Sequence, residues 1–322
     1  MAALADRSME SIVDLRELGA GHLDPLLEEE RDAWRRDLEW DFRPSADLVR
    51  RFIQLRSLNG FALVDRGGVA GYSYYVFEEG KGLIGDFFVR PAARAARNEH
   101  RLLEAILDAM WRLPGLRRIE AQLMMLGLNL VSSAPYPQWL HCYPRRFLEI
   151  PLANVRAFRT HEPTGAAFAP WTESWRDEAA GLIADTYRGH IDSQINDQYQ
   201  SQTGAHRFLT NIVQFLGCGA FFAPASFVAW DRARRAMCGV SLTSLVANEV
   251  GHVTQICVGP SYQGQGLGYE LLRRSLTALA AQGCKSVSLT VTSANDAAVR
   301  LYQRMGFNTR REFAAHVWDT RG

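Results

Sequence analysis

Gln263-Gly264-Gln265-Gly266-Leu267-Gly268 is a glycine-rich turn that separates a predicted strand from a predicted helix. The preceding segment, Val250–Val258, is rich in β-branched residues, which is typical of a strand. The following segment carries Leu272, Leu276 and Leu279 at helical spacing, which predicts an amphipathic helix. A turn of this kind exposes backbone N–H groups at a helix N-terminus, where an anion such as a phosphate is stabilised. The C-terminal half of the chain is therefore predicted to bind a phosphorylated cofactor.

Two common phosphate-binding loops do not fit this turn. A Walker A loop requires Gly-Lys followed by Ser or Thr, and the turn contains no lysine, which disfavours hydrolysis of ATP or GTP. A dinucleotide-binding loop would place its third glycine where the chain has Tyr269. It would also place a carboxylate about 20 residues further on, where residues 286–288 have none. The pattern that remains is Gln263-x-x-Gly266-x-Gly268.

A second motif follows the alternating strand that contains Val287, Leu289 and Val291. It is the stretch Asn295-Asp296-Ala297-Ala298-Val299-Arg300-Leu301-Tyr302-Gln303-Arg304-Met305-Gly306-Phe307. The two motifs together resemble those of the GNAT acyltransferase superfamily: a cofactor loop of Arg or Gln, x-x-Gly-x, then Gly or Ala, and the signature Asn-x-x-Ala-x-x-Leu-Tyr-x-x-x-Gly-Phe. This resemblance implies an α/β fold (α+β, with a mixed sheet), an acyl-CoA cosubstrate, and transfer of an acyl group to an amine.

The resemblance places acetyl-CoA, or another acyl-CoA, along the turn and the strand before it. Because they lack a Cβ, Gly266 and Gly268 would let the backbone approach a pyrophosphate closely. Val258 would end a strand that is splayed from its neighbour, so its backbone could pair with the amide-bearing pantetheine arm. Asn295 would cap the helix that begins at Asp296. The predicted cofactor-binding residues are Ile256, Cys257, Val258, Gln263, Gly264, Gln265, Gly266, Leu267, Gly268 and Asn295, and no metal site is predicted.

Tyr302 and two residues near the start of the predicted strand are the predicted catalytic groups. Tyr302 falls about two turns into the second helix, where a phenol with a pKa of about 10 could act as general acid to the leaving thiolate. Several members of the superfamily use a Glu or His on the strand as base, which implies His252, with Glu249 as the second candidate. The alternatives are structural roles: a helix cap for Asn295, a core aromatic for Tyr302 and an ordinary strand histidine for His252.

The first half of the chain repeats the pattern of the second. Val89-Arg90-Pro91 aligns with Val258-Gly259-Pro260 at an offset of 169 residues. This repeat predicts two tandem domains, 1–160 and 161–322, in an architecture that resembles mycothiol synthase-like double acetyltransferases. In the first copy the glycines of the turn are lost, and a phosphate would meet a long side chain and a carboxylate, so this domain is predicted to be degenerate and to bind no cofactor. The residues that stand in the turn of the first copy are Ala95, Ala96, Arg97 and Glu99.

The predicted function is a CoA-dependent N-acetyltransferase whose chemistry lies in the C-terminal domain, where the amine attacks the thioester directly. The polar segment from His190 to Tyr199 is predicted to shape the acceptor site, with a solvated loop as the alternative. The expected acceptor is a small-molecule or peptide amine, and its identity and the length of the acyl group stay open. The alternative function is a non-catalytic acyl-CoA sensor or interaction protein on the same fold.

Composition and charge disfavour several other classes of protein. The 322 residues have a net charge of +1 and dispersed basic side chains, so neither nucleic acid nor a membrane is a predicted partner. Five cysteines without metal-ligand spacing are typical of reduced thiols in a cytoplasmic protein. The segment around Asp6 and Glu10 lacks the apolar core of a signal peptide, which agrees with a cytoplasmic location. The oligomeric state stays open.

Overall fold

The computed structural model describes residues 11–126, 134–215, 217 and 219–319. Contacts divide the chain into two compact units. Unit 1 contains the residues up to Pro144 together with those from Glu312 onwards, and unit 2 is Arg145–Arg311. The segment around Asp6 and the cysteine Cys218 lie outside the described residues, and the other four cysteines are free thiols.

Both units combine helices with strands of a mixed sheet, as the sequence predicts. Unit 1 contains β1 (Ser11–Asp14), α1 (Ala20–Leu38), α2 (Arg43–Gln54), β2 (Gly60–Asp65), β3 (Gly68–Glu78), β4 (Lys81–Val89), α3 (Ala96–Trp111) and β5 (Arg118–Gln122). The next strand, β6 (Leu140–Pro151), leads into unit 2, which contains β7 (Ala166–Pro170), α4 (Arg176–Thr186), α5 (Asp192–Ile195), α6 (Gln202–Gln214), β8 (Ala220–Phe221), β9 (Phe227–Asp231), β10 (Ala236–Ala247), β11 (Val250–Val258), α7 (Leu267–Ala281), β12 (Ser286–Thr292) and α8 (Asp296–Arg304). The last strand, β13 (Asn308–Asp319), ends in unit 1.

The sheet of unit 1 has the strand order β1-β2-β3-β4-β5-β13. Its β4–β5 pair is parallel, which requires a crossover, and α3 supplies it. Leu102, Ile106 and Met110 recur at helical spacing on α3 and are fully buried, together with Ile119 of β5. This apolar face holds α3 against the sheet of unit 1.

The sheet of unit 2 has the order β6-β12-β11-β10-β9-β7, with β8 also paired to β10. Its β11–β12 pair is parallel, and α7 is the crossover helix. The predicted stripe of Leu272, Leu276 and Leu279 on α7 is fully buried in the core of this unit. Burial of a leucine side chain contributes about 2 kcal/mol, so this stripe anchors α7 and thereby fixes the direction of its N-terminus.

Each unit is completed by a strand from the other sequence copy. β6 follows β5 in the chain, yet its residues 145–151 pair antiparallel with β12 in unit 2. Conversely, β13 follows β12, yet its residues 315–319 pair antiparallel with β5 in unit 1. The structural division therefore falls at Pro144 and Glu312 and differs from the predicted boundary near residue 160. The reason is that long-range strand pairing, which chain order does not reveal, assigns these two strands.

Several local predictions are confirmed. β11 spans the predicted residues, and α7 is followed by Gly283 with a φ of +96°, as expected of a glycine that terminates a helix. β2 and β3 form a hairpin, and Gly68 in its turn has a φ of +111°. No helix within the described residues combines the length and the apolar character needed to cross a membrane.

Candidate functional site

The glycine-rich turn between β11 and α7 has the backbone geometry of a phosphate-binding loop. Gly264 and Gly266 have φ angles of +76° and +83°, in the left-handed region that other residues rarely adopt. Gly266 is the N-cap of α7 and has no side chain with which to cap it. The first-turn N–H groups of α7 therefore point out of the helix end, where the helix dipole is positive.

The N–H groups of this turn are left without acceptors. Within the described residues, no protein oxygen accepts a hydrogen bond from the backbone N–H groups of residues 264–266. The glutamine side chains brace the turn from behind: Gln263 Nε2 donates to the Val258 carbonyl, and Gln265 Nε2 donates to the Ser261 carbonyl, both at 3.1 Å. The turn is thus held open, with donors available for an anion.

Gly268, in the first turn of α7, is a glycine that protein packing does not require. A Cβ added there would lie 3.5 Å from Leu301 and 3.7 Å from Val258, which are ordinary contact distances. Its φ also lies outside the left-handed region. The absence of a side chain therefore leaves room at the N-terminal end of α7 that packing against protein does not require.

His161 lies against the turn, although no sequence motif singled it out. Its ring Nε2 donates to the carbonyl of Gln265 at 3.1 Å, and its backbone N–H donates to the buried carboxylate of Glu270 at 3.1 Å. A Cβ added to Gly266 would come within 2.2 Å of the imidazole. His161 lies in a polar segment without periodicity, so only the fold shows that it supports the turn.

β11 and β12 separate at the end of the sheet that leads to the turn. They pair only at residues 250–253 and 286–289, although β11 runs on to Val258 and β12 to Thr292. A register shift against β10 leaves Thr254 as an extra residue at the same point. A β-bulge of this kind bends a strand, which explains the separation. Within the described part of the chain, the second half of β11 therefore has no strand partner on the β12 side, which leaves its backbone groups open to pairing with an amide-bearing ligand.

The side chains of the predicted strand residues point into the protein. Cys257 is buried against the core formed with α4, and burial raises the pKa of its thiol to about 12. Ile256 packs against buried residues on the α7 side. Cys257 can therefore contact a cosubstrate only through its backbone groups, whereas the side chains of Ile256 and Val258 are partly buried.

The second motif forms α8 and its cap. The Asn295 Oδ1 accepts from the Ala298 N–H at 3.2 Å, so the predicted cap is confirmed. Tyr302 is buried beside Phe307, with ring centroids 5.8 Å apart. Burial and the negative charge of Asp192 raise the pKa of the Tyr302 phenol, which keeps it protonated at neutral pH.

His252 lies in the closed part of the sheet. It is 4% exposed, its Nδ1 is 2.9 Å from the Ser288 hydroxyl, and its ring stacks on Phe147. Burial, together with the positive charge of Arg145, lowers the pKa of His252 to about 3. A histidine with this pKa is a weak base, and it precedes the point at which β11 and β12 separate.

Glu249 lies in the turn before β11, at the opposite end of the strand from the glycine-rich turn. Its carboxylate pairs with Lys285 at 2.6 Å. The nine residue-to-residue steps from Glu249 to Val258 correspond to about 30 Å of strand at about 3.3 Å per residue. The structure therefore does not bring Glu249 to the turn, and a catalytic role for Glu249 or His252 stays a prediction that this geometry does not favour.

The predicted acceptor segment lies across the open end of the gap between β11 and β12, beyond residues 253 and 289, which is called the mouth of the site below. On the β11 side, Gln255 donates to the Tyr187 hydroxyl at 3.1 Å and accepts from the Tyr199 hydroxyl at 3.3 Å. On the β12 side, the Thr292 hydroxyl donates to the Asp192 carboxylate. The two tyrosine rings stack with centroids 4.4 Å apart. The segment therefore contacts both strands where they have separated.

The corresponding turn of unit 1 has a different backbone. No residue from Arg90 to Trp111 has a positive φ, and the N-cap of α3 is Ala95. Glu99, in the first turn of α3, is 8% exposed, and one carboxylate oxygen lacks a hydrogen-bond partner. Arg94 is 3.6 Å from this carboxylate, and burial raises its pKa. A carboxylate thus occupies the helix end where unit 2 leaves open space.

A cavity of about 200 Å³ adjoins the glycine-rich turn of unit 2. Gln265 and Leu267 line it from the turn, and Asp231 and Arg234 line it from the β9–β10 hairpin. Tyr262 closes one side, and its hydroxyl donates to Asp231 at 2.8 Å. Among the described residues, no group of three or more His, Cys, Asp or Glu side chains is arranged to hold a metal ion.

The chain is similar to known acetyltransferases in sequence. A mycothiol acetyltransferase from Saccharopolyspora erythraea is 27% identical over 287 residues, which cover 81% of this chain and 83% of that protein. A mycothiol acetyltransferase from Gordonia bronchialis is 36% identical over 97 residues, which cover 30% of this chain and 32% of that protein.

Solved structures show the same fold. A GCN5-related N-acetyltransferase from Sphaerobacter thermophilus has a TM-score of 0.63 at 14% identity and covers 96% of this chain and 95% of its own. A tandem GNAT protein from the clavulanic acid biosynthesis pathway has a TM-score of 0.61 at 13% identity, covering 97% and 98%. The family described as Acetyltransferase (GNAT) family matches residues 128–307, more than half of the chain. The glycine-rich turn, the separated strands and this match agree, and the chain belongs to the GNAT acetyltransferase family.

Proposed function

We propose that unit 2 transfers an acetyl group from acetyl-CoA to a primary amine, by direct attack of the amine on the thioester. The observation that supports this most is the glycine-rich turn, whose N–H groups at residues 264–266 lack protein acceptors at the N-terminus of α7. An anion bound there would lie at the open end of the gap between β11 and β12. The gap then directs the acyl end toward the acceptor segment.

Each side of the site would have a separate task. The backbone of Gly266 and Gly268 would hold the pyrophosphate, and the separated half of β11 would pair with the arm. Acetyl-CoA, when bound, supplies the activated acyl group. Tyr302 would hold a proton for the departing sulfur, a role that its protonated state at neutral pH permits and its place on α8 supports.

Unit 1 would take no part in the chemistry. Its turn lacks the left-handed glycines, and the carboxylate of Glu99 would repel a phosphate at the N-terminus of α3. A cytoplasmic location, and an acceptor that is a small molecule or a peptide, belong to the same proposal. The relatives' name places a mycothiol-related amine among the acceptors worth testing.

Release of free thiol from acetyl-CoA tests this function. Purified protein should release thiol in the presence of at least one amine from a panel of small amines, amino sugars, aminoacyl compounds, peptides and a mycothiol-related amine. Tyr302→Phe should lower kcat by roughly 10- to 1,000-fold, because the sulfur then leaves without a proton donor. The affinity for acetyl-CoA should stay the same, and Tyr262→Phe, which removes a phenol at the neighbouring cavity, serves as the control.

The same assay separates the enzyme from a sensor. A protein that binds acetyl-CoA yet releases no thiol with any amine would support the non-catalytic alternative. Turnover that Tyr302→Phe leaves unchanged would refute the acid role of Tyr302 and leave the transferase activity standing.

A further inference from the structure

Asp192 is a carboxylate at the mouth between the separated strands of unit 2. It begins α5, in the connection between α4 and α6. The Thr292 hydroxyl, at the end of β12 and past the last β11–β12 pair, donates to Asp192 Oδ1. Because Thr292 is itself buried, this bond orients the carboxylate from the floor of the site.

His190 supports Asp192 from the other side. The His190 Nδ1 accepts from the backbone N–H of Asp192 at 3.1 Å and is 3.6 Å from the carboxylate Oδ2. The His190 ring packs edge-on against Tyr187, with centroids 5.3 Å apart, and its Nε2 lies 3.5 Å from the Asn295 side-chain amide. The His190 side chain is 33% exposed and that of Asp192 is 17% exposed. The Asp192 carboxylate at the mouth is therefore in contact with a side chain, that of His190, which reaches solvent.

Asp192 differs from three other buried or partly buried carboxylates of unit 2 in its charge balance. Glu149 pairs with Arg310, Asp231 with Arg234, and Glu270 with Arg273 and Arg274. Among the described residues, Asp192 has no lysine or arginine partner, and the basic side chain beside it is that of His190, whose Nδ1 accepts a hydrogen bond from the Asp192 N–H. A half-buried negative charge without a permanent cation is suited to receive an ammonium group.

The carboxylate also acts on the predicted acid. The negative charge of Asp192 contributes to the raised pKa of both Tyr302 and Tyr187, so Asp192 lies within electrostatic reach of both phenols. The titratable side chains around Asp192 are His190, Tyr187 and Tyr302. An ammonium group held by Asp192 would therefore lie in the same part of the site as Tyr302.

We propose that Asp192, oriented by Thr292 and His190, binds the acceptor as its ammonium ion and removes the proton that frees the attacking amine. This inference rests on the proposed transfer to a primary amine and deepens it, because it assigns the base to the acceptor segment instead of His252 or Glu249. It also defines the acceptor as an amine that is protonated at neutral pH.

The step balances in atoms and charge. The ammonium N–H bond breaks and an Asp192 O–H bond forms, and the freed nitrogen lone pair forms the N–C bond to the acyl carbon. The C–S bond breaks, its electron pair goes to sulfur, and the sulfur takes a proton from Tyr302. The amide nitrogen loses a second proton, which restores Tyr302, while the first proton leaves Asp192 through His190 to solvent.

Asp192→Asn tests the proposal, because it keeps the shape and still accepts from Thr292. With a strongly basic alkylamine at pH 7.5, kcat/KM should fall roughly 100-fold. With hydroxylamine, which is already neutral at this pH, the fall should be less than about threefold. The rate of the variant with the alkylamine should rise steadily with pH, because only the free amine then reacts. Asp185→Asn is the matched control, since Asp185 is exposed at the C-terminal end of α4 and pairs with Arg188.

Small carboxylates provide a second readout. In Asp192→Ala, formate should restore part of the lost rate with the alkylamine, and it should have no effect on the wild-type protein. Acetyl-CoA affinity and the thermal unfolding midpoint, measured in parallel, show that each variant is folded.

Equal losses with the alkylamine and hydroxylamine, or no loss with either, would overturn the assignment of Asp192. Wild-type protein that turns over no amine at all would instead refute the proposed function, and the role of Asp192 with it. The two failures are therefore distinct.

Discussion

At Gly268 helix stability favours alanine, whereas space for a bound phosphate favours glycine. The position has helical backbone angles and room for a Cβ, so Gly268→Ala should stabilise the fold by up to about 1 kcal/mol. The same methyl group would occupy the space beside the N–H groups at residues 264–266. We therefore expect Gly268→Ala to raise the thermal midpoint and to weaken CoA binding at least tenfold.

Calorimetric titration with CoA, run alongside thermal unfolding, checks this prediction. The wild-type protein should bind one CoA per chain, because Glu99 occupies the helix end in unit 1. Glu99→Gln removes the carboxylate but keeps the backbone of the unit 1 turn, which has no positive φ, so this control should leave both stoichiometry and affinity unchanged. Unaltered affinity in Gly268→Ala would show that the ligand does not use this space.

His161 shows how much of a site can escape a sequence motif. Its contacts with Gln265 and Glu270 tie the segment after β6 to the turn, yet nothing in its neighbourhood of the sequence has a recognisable pattern. In contrast, the helix cap at Asn295 and the glycine-rich turn before α7 were predicted correctly, because a cap and a tight turn depend on a few consecutive residues.

At the scale of the elements, the two halves of the nine-residue strand β11 differ in how they are paired. Its first half is paired on both sides and buries His252, while its second half, after the bulge at Thr254, is paired only with β10. The sequence predicted the strand but not the bulge, because a bulge is defined by the register with a neighbouring strand. The burial of His252 likewise depends on the pairing of β11 with β12, which the sequence does not reveal.

The burial of His252 predicts a dependence of stability on pH. Its pKa is about 3 in the fold and about 6.5 in an unfolded chain, so between these values the unfolded chain binds a proton that the fold excludes. The contribution of neutral His252 to stability, complete above pH 6.5, is therefore lost as the pH falls, by at most about 1.4 kcal/mol per unit.

Urea unfolding at pH 7.5, 6.0 and 5.0 checks this expectation. His252→Gln removes the titrating group, so the free energy of unfolding should fall less steeply towards acid pH than in the wild type. His316 of unit 1, whose pKa burial lowers to about 4, should behave in the same way when it is changed to glutamine. Parallel slopes for wild type and His252→Gln would contradict the burial-based explanation.

At the scale of the whole molecule, the pairing of β6 in unit 2 and of β13 in unit 1 decides where the chain can be divided into fragments that fold. β6 pairs with β12 along its residues 145–151 and buries Phe147, Leu148 and Ile150. A fragment of residues 161–311 lacks this strand and leaves β12 as an open edge, whereas a fragment of residues 140–311 keeps it. We expect the longer fragment to unfold cooperatively and to bind CoA, and the shorter one to aggregate.

Soluble yield, thermal unfolding and CoA titration of the two fragments check this expectation. Equal midpoints and equal CoA affinity would show that β6 is dispensable for unit 2. The result bears on any study of the separate halves, because a cut at the boundary near residue 160 removes a core strand from unit 2.

The sequence by itself determined the GNAT-type fold, the glycine-rich turn, the cap at Asn295, the place of Tyr302 on its helix and the loss of the turn in the first copy. These features depend on residues that are neighbours in the chain, where backbone sterics and local hydrogen bonds act directly. Only the tertiary structure decided the exchange of β6 and β13, the burial of His252 and the meeting of Asp192 with Thr292. These three depend on pairing and packing between segments that are far apart in the chain. A local sequence pattern does not show which distant segments will meet.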